Sequence, residues 1–206
     1  IRIISDSITE ALNRLWVIFF VIVVFAGNMK MQSSTDLTGV ERTFLPNEII
    51  VTKTDLKGKM TYVNKSFLKL AGYTEAECLG QQHNLIRHPH MPRAVFKLLW
   101  DTLRSEQEIF AYVNNRSKNG DFYWVFAHVT PSRDASGSIV GYHSSRRVPN
   151  KQVIKEHIAP LYQQLFEIEK SSGSTAEGLN KSFQTVVDLL EDSKMTFNQF
   201  MFSMGV

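Results

Sequence analysis

Two runs of alternating residues flank Lys118-Asn119-Gly120-Asp121, and no other feature restricts the fold so tightly. Asn-Gly tolerates the positive backbone angles of a hairpin turn, so Ile109–Arg116 and residues 122–130 are predicted to pair as antiparallel strands. A second turn, Asp134-Ala135-Ser136-Gly137, leads into residues 138–146 and extends the meander to three strands. Upstream, the β-branched run 48–53, a glycine-containing turn at 55–59 and Met60–Val63 predict another hairpin. Helical patterns lie between the two. Residues 64–70 are closed by Gly72, Thr74 caps a short helix ahead of Glu75 and Glu77, and a longer helix runs from Pro92 to about Ser105. After the strands, residues 153–169 return to helical periodicity, Gly173 and Gly178 flank a Ser/Gly linker, and residues 179–202 supply one or two further helices. The order predicts an α+β fold: a five-stranded antiparallel sheet with helices gathered on one face.

Composition bounds the function. With 206 residues, 43% hydrophobic and 21% charged, the chain suits one medium domain with appendages and not wholesale disorder. A net charge of +3, without a basic stripe interleaved with aromatics, argues against a nucleic-acid partner. The single cysteine, Cys78, excludes a disulfide framework and a Cys-rich zinc site, and suits a reducing cytoplasm. Residues 1–30 stand apart. Their apolar run LWVIFFVIVVFAG has 13 residues, short of the roughly 20 that a spanning helix needs. Arg14 before it and Val24-Phe25-Ala26 within it fit a signal peptide, whereas Asp6, Glu10 and the initial Ile1 do not. The preferred reading is that the protein proper begins at Met29 or Met31, with upstream translation or a truncated anchor before it and a loose lead-in over 31–46.

Functional information is densest in His83-Asn84-Leu85-Ile86-Arg87-His88-Pro89-His90-Met91-Pro92, directly ahead of the helix that carries Phe96 and Trp100. Two prolines deny this block regular hydrogen bonding, so it reads as the rim of a small-molecule pocket. Other readings stand beside that one. Phe96 and Trp100 serve equally as helical core, the three histidines lack the cysteine or carboxylate cluster of a closed metal site, and Asn64 fits a helix cap. No nucleophile is paired with a base, no carboxylates are paired and no phosphate loop occurs, so the chain is not expected to be an enzyme.

The words Asp55-Leu56-Lys57-Gly58, Tyr62-Val63-Asn64, Ala71-Gly72-Tyr73-Thr74, Arg116-Ser117-Lys118-Asn119-Gly120 and Tyr123-Trp124-Val125 resemble those of PAS domains. The histidine block is more specific. It resembles the flavin-binding PAS domains of bacterial aerotaxis and energy-taxis receptors, which hold FAD noncovalently. Residues 110–115 and 124–127 further resemble small soluble, CetB-like energy-taxis PAS proteins. The resemblance implies a PAS sensor domain over 47–147, a C-terminal helix over 148–170, and a linker with helical tail over 171–206. It implies Asn64, His83, Arg87, His88, Phe96, Trp100 and Asn115 as FAD-pocket residues. It also implies a cytoplasmic redox or oxygen sensor whose partner is a membrane-bound chemotaxis receptor or its signalling domain, with a homodimer as the other arrangement. A cofactor-free PAS interaction module is the alternative.

Chemistry agrees with several of these residues. Asn115 can donate to and accept from a flavin edge, and Arg87 can meet a pyrophosphate with a planar fork. If Asn115 faces inward, so do Ala111, Val113, Tyr123, Val125, Ala127 and Val129, and the small ones leave room for a planar guest. The opposite face then carries Phe122, Trp124, Phe126 and His128, which a C-terminal helix, a second copy or a receptor domain must cover. Two departures from the family pattern stand out. His90 replaces the usual aspartate and removes a cap from the long helix, and Ile109-Phe110 replaces a common tryptophan.

Overall fold

Five strands form one antiparallel sheet: β1 (Ile50–Thr54), β2 (Met60–Val63), β3 (Ile109–Arg116), β4 (Phe122–Arg133) and β5 (Ile139–Arg147), in the order β2-β1-β5-β4-β3. The computed structural model describes residues 37–205, so the expectations for residues 1–30 and for the start of the lead-in lie outside it. Among the described residues, no helix is long and apolar enough to cross a membrane.

The β3–β4 hairpin closes with a Ser117 N–H to Asp121 carbonyl bond of 2.8 Å and with Gly120 at φ 93°. Three loop residues with glycine in the left-handed region make a bulged turn, which explains why Asn-Gly stands there. Cross-strand partners Asn115–Tyr123, Val113–Val125, Ala111–Ala127 and Ile109–Val129 share one face. Arg116–Phe122, Asn114–Trp124, Tyr112–Phe126 and Phe110–His128 share the other.

Helices α1 (Lys65–Ala71), α2 (Glu75–Cys78) and α3 (Arg93–Arg104) follow the first hairpin, with a 3-10 turn at His83–Ile86. Caps set their ends. Asn64 accepts from the Phe67 N–H, Gly72 closes α1 at φ 75°, and Thr74 and Glu77 form a capping box on α2. Pro92 has ψ 142° and so occupies the cap position of α3, not its first helical residue as expected.

The C-terminal helices lie on the aromatic face. The chain continues through α4 (Lys151–Val153), a π segment (Ile154–Ile158), α5 (Ala159–Ser171), α6 (Thr175–Ser193) and α7 (Phe197–Ser203). Tyr162 packs 6.1 Å from Trp124, and Phe202 packs 4.8 Å from Phe110 and 5.9 Å from Phe126, ring to ring. The same helices close the free edge of β3. Asn198 Oδ1 accepts from the Phe110 N–H at 2.9 Å, and the Tyr162 hydroxyl donates to the Tyr112 carbonyl at 2.8 Å. Met91 Sδ accepts from the Asn114 N–H at 3.3 Å. An edge strand satisfied this way offers no template for pairing with another chain.

The expected Ser/Gly linker is shorter than its composition implied. The turn spans residues 172–174, Ser174 caps α6, and Gly178 lies inside that helix. A Cβ at Gly178 would fall 2.7 Å from the Glu169 carbonyl oxygen, so glycine is there to let α5 and α6 approach. Replacing a helical glycine by alanine usually stabilises by about 0.5–1 kcal/mol. Gly178→Ala is expected to destabilise instead, by about 1–3 kcal/mol through overpacking, as read from urea unfolding.

Candidate functional site

The inner face of the sheet combines small apolar residues with buried polar groups that have no apolar reason to be there. Register places Thr52, Ser144 and Arg146 on this face beside Asn115 and Tyr123, and all five are buried. Arg146 Nη2 donates to Thr52 Oγ1 at 2.9 Å and to His83 Nε2 at 2.8 Å, while Thr52 Oγ1 lies 3.1 Å from His83 Nε2. A guanidinium only donates, so His83 Nε2 must be the bare acceptor nitrogen and the ring is neutral. Burial, reinforced by Arg146, accordingly lowers the His83 pKa to about 3. Burial also pulls Arg146 down to about 10, which leaves it charged at neutral pH.

Four atoms of this wall are buried without a hydrogen-bond partner: Asn115 Nδ2, Tyr123 Oη, Ser144 Oγ and Arg146 Nη1. Among the described residues no carboxylate pairs with Arg146; the neighbouring group that favours its charge is the Tyr123 hydroxyl. Buried polar groups are rarely orphaned, and an uncompensated buried cation is costlier still. As a set, an amide N–H, two hydroxyls and a guanidinium N–H fit carbonyls and ring nitrogens along the edge of a flat, electron-rich heterocycle. Ala111, Val113, Val125 and Ala127 form its apolar surroundings, in one packed cluster with Phe67, Ile86 and Val95. Those larger side chains meet where the sequence left room for a guest. Two surface clefts, of about 290 Å³ beside Arg42 and Lys69 and about 230 Å³ beside Asn150 and His157, contain none of these residues.

The seven residues expected at the pocket divide. Arg87, Phe96 and Asn115 converge: the Arg87 guanidinium lies 4.6 Å from the Phe96 ring centroid, and the Arg87 backbone bridges to Asn115. His83 reaches the floor through Arg146. Trp100 packs 5.4 Å from Tyr142 near the β1–β2 turn, closing the opposite end of the same face. His88 is turned away: its ring lies 6.1 Å from Phe122 on the aromatic face, and its Nδ1 accepts from the His90 N–H. Asn64 is also otherwise engaged. Its Oδ1 accepts from the Phe67 and Val51 N–H groups, and its Nδ2 donates to the Ile49 carbonyl. Among the described residues, no group of three His, Cys, Asp or Glu side chains is arranged to hold a metal ion.

Residues 60–146 match the family described as PAS fold. Those residues form a PAS domain. The aerotaxis receptor of Escherichia coli (strain K12) is 35% identical over 151 residues, which is 73% of this chain and 28% of the receptor. The nitrogen fixation regulatory protein of Klebsiella pneumoniae is 27% identical over 99 residues, 48% of this chain and 20% of that protein. The light-state structure of the blue-light photoreceptor Aureochrome1 LOV aligns with a TM-score of 0.47 at 23% identity, covering 54% of this chain and 88% of that one. The chain thus spans less than a third of either curated relative.

Thr52, Ser144 and Arg146 were not expected at the site. Continuing the register from Asn115 through β4 to β5 would have found them, but Ser144-Ser145-Arg146-Arg147 shows no apolar alternation to say which side faces in. The neutral histidines have a measurable consequence. Burial holds His83 near 3 and His88 near 4, both below the ordinary 6.5. Their contribution is therefore complete above pH 6.5, where folded and unfolded chains are both neutral. It is lost as pH falls toward 3–4, because the unfolded chain takes up protons first. Between pH 7 and pH 5 the loss is expected to be on the order of 1–2 kcal/mol per histidine, read from urea melts, and His83→Gln should remove its share.

Proposed function

We propose that this PAS domain binds a flavin noncovalently, FAD by the resemblance of its histidine block, and reports redox or oxygen state to a chemotaxis-type receptor. The observation that carries this reading is the buried donor set of Asn115, Tyr123, Ser144 and Arg146, whose orphaned atoms include one from an uncompensated guanidinium. Such a set is stabilised by a hydrogen-bond-accepting partner. The 35% identity to an aerotaxis receptor points to the same class of signal.

A bound flavin would supply a redox couple whose reduced ring can carry negative charge. The chain's own residues then have separate roles. Asn115, Tyr123 and Ser144 would donate to the polar edge of the ring, the small residues of β3 and β4 would line its apolar surroundings, and Arg87 would meet phosphate oxygens beside Phe96. Arg146 holds negative charge, and neutral His83 fixes the orientation of the guanidinium. Among the described residues no side chain is arranged to pass electrons or protons on to a second substrate, which supports a group that is read and not turned over. The signal would pass to a membrane-bound receptor or its signalling domain on the cytoplasmic side, or across a homodimer.

A cofactor-free interaction module is the second reading, favoured by the close packing of Ala111, Val113, Val125 and Ala127 with Phe67 and Ile86. Purification separates the two. The expected product is yellow, with stoichiometric FAD released on denaturation; a folded, colourless protein that takes up no added FAD overturns the flavin reading. In the flavin-loaded protein, Arg146→Leu is expected to lower the midpoint potential by about 30 mV or more, the equivalent of about 1.4 kcal/mol for a two-electron couple. Arg146→Lys should retain part of it. An unchanged potential in Arg146→Leu would remove Arg146 from the ring.

A further inference from the structure

The N-terminus of α3 has no cap of its own. Pro92 contributes no side-chain bond, and the first turn carries no acidic residue. The free N–H groups of the first turn must nevertheless be satisfied. They are satisfied from the far end of the chain. Glu169, in the last turn of α5, accepts from the Arg93 N–H at 2.9 Å and from the Ala94 N–H at 2.9 Å, one carboxylate oxygen to each. The same two oxygens accept from Arg93 Nε at 3.0 Å and from Ser182 Oγ of α6 at 2.9 Å. Glu169 is 8% exposed, and α6 passes it at the glycine contact of Gly178. One carboxylate therefore joins three helices, and it does so beside the site. Arg87 and Arg93 act electrostatically on one another, and Arg87 is favoured by Glu169. Two more contacts bind the same elements: the His90 ring lies 5.2 Å from Phe166, and Lys97 Nζ sits 4.1 Å from the Phe183 ring centroid.

The geometry points to Glu169 as a positioning residue that couples the α5–α6 hairpin to the ligand wall. While its carboxylate caps α3, the helix is held at the height that sets the Phe96 ring 4.6 Å from the Arg87 guanidinium. When the hairpin lifts, α3 loses its cap and the wall loosens. Ligand affinity and hairpin docking are then one equilibrium, and each must shift the other by the same factor. A local cap would hold α3 whether or not the hairpin is docked; a cap borrowed across 76 positions makes α3 report on it.

This assignment rests on the flavin reading, and the test separates the two. The wild-type chain, Glu169→Ala and Glu169→Gln are compared by hydrogen–deuterium exchange with and without saturating FAD, and by FAD titration. In Glu169→Ala, exchange is expected to rise together in residues 93–97 and 159–193 while residues 50–63 keep wild-type protection, and FAD affinity is expected to fall at least about 5-fold. FAD should slow hairpin exchange in wild type and not in Glu169→Ala. Glu169→Gln keeps the shape and one acceptor and should restore part of both effects. Ser182→Ala, which removes one of the four bonds to Glu169, should give the same pattern at smaller amplitude if the alanine variant does not fold. Wild-type FAD affinity in Glu169→Ala, or a rise in exchange confined to one of the two segments, overturns the coupling. If wild type takes up no FAD, the flavin reading fails and exchange alone decides: a joint rise supports the coupling and a separate one overturns it.

Discussion

One register, Asn115 opposite Tyr123, decides which side of this sheet is which. A slip by one residue would exchange every side chain on β3 and β4 between faces. It would bring Phe122, Trp124 and Phe126 under the N-terminal helices and push Asn115, Tyr123 and the small residues outward. The bulged turn at Gly120 holds the register from one end. Bonds from Asn198, Tyr162 and Met91 to alternate residues of β3 hold it along the free edge. The polar wall and the aromatic wall are therefore two consequences of the same pairing, and neither can be rebuilt without the other.

That pairing also carries a cost at Arg146. A guanidinium buried without a carboxylate is destabilising by several kcal/mol, and two neutral acceptors, Thr52 and His83, offset only part of it. Close packing around a core does not call for such a residue; leucine or methionine would fill the volume better. Strain of this kind concentrates where a chain binds something, because the ligand supplies the missing interaction. The set implied by the resemblance and the set of orphaned donors share Asn115.

Much of the PAS domain was legible because its signals are local. Asn64 and Gly72 delimit α1, Thr74 opens α2, and Gly120 turns the hairpin, each through bonds within a few residues of itself. Arg87, Phe96 and Asn115, named from the histidine block and by strand counting, lie together in the structure. Arg146 was not legible, because its strand gives no apolar alternation. His88 and Asn64 were assigned to the pocket on resemblance, while their neighbours in space, Phe122 and the β1 backbone, engage them elsewhere. Gly178 looked like linker because composition cannot distinguish a flexible glycine from one that lets two helices touch. The cap on α3 was the hardest case, because the cap position falls at Pro92 and not at His90, and the acceptor that replaces a local cap lies 76 positions away.

The strength of that replacement matters as much as its location. Side-chain caps contribute about 0.5–2 kcal/mol, and a carboxylate at a helix N-terminus adds about 0.3–1 kcal/mol from the helix dipole. Couplings between sites in proteins that switch are typically about 1–3 kcal/mol. The two ranges overlap. A fully satisfied carboxylate can hold the α5–α6 hairpin against α3, yet the hold is small enough for a ligand that favours one arrangement to shift it. A broad hydrophobic interface in the same place would lock the helices permanently. α5 itself shows the division: Tyr162 and Leu165 are buried as an anchor, while Glu169, one turn further along, reaches the α3 backbone as a polar and therefore breakable contact.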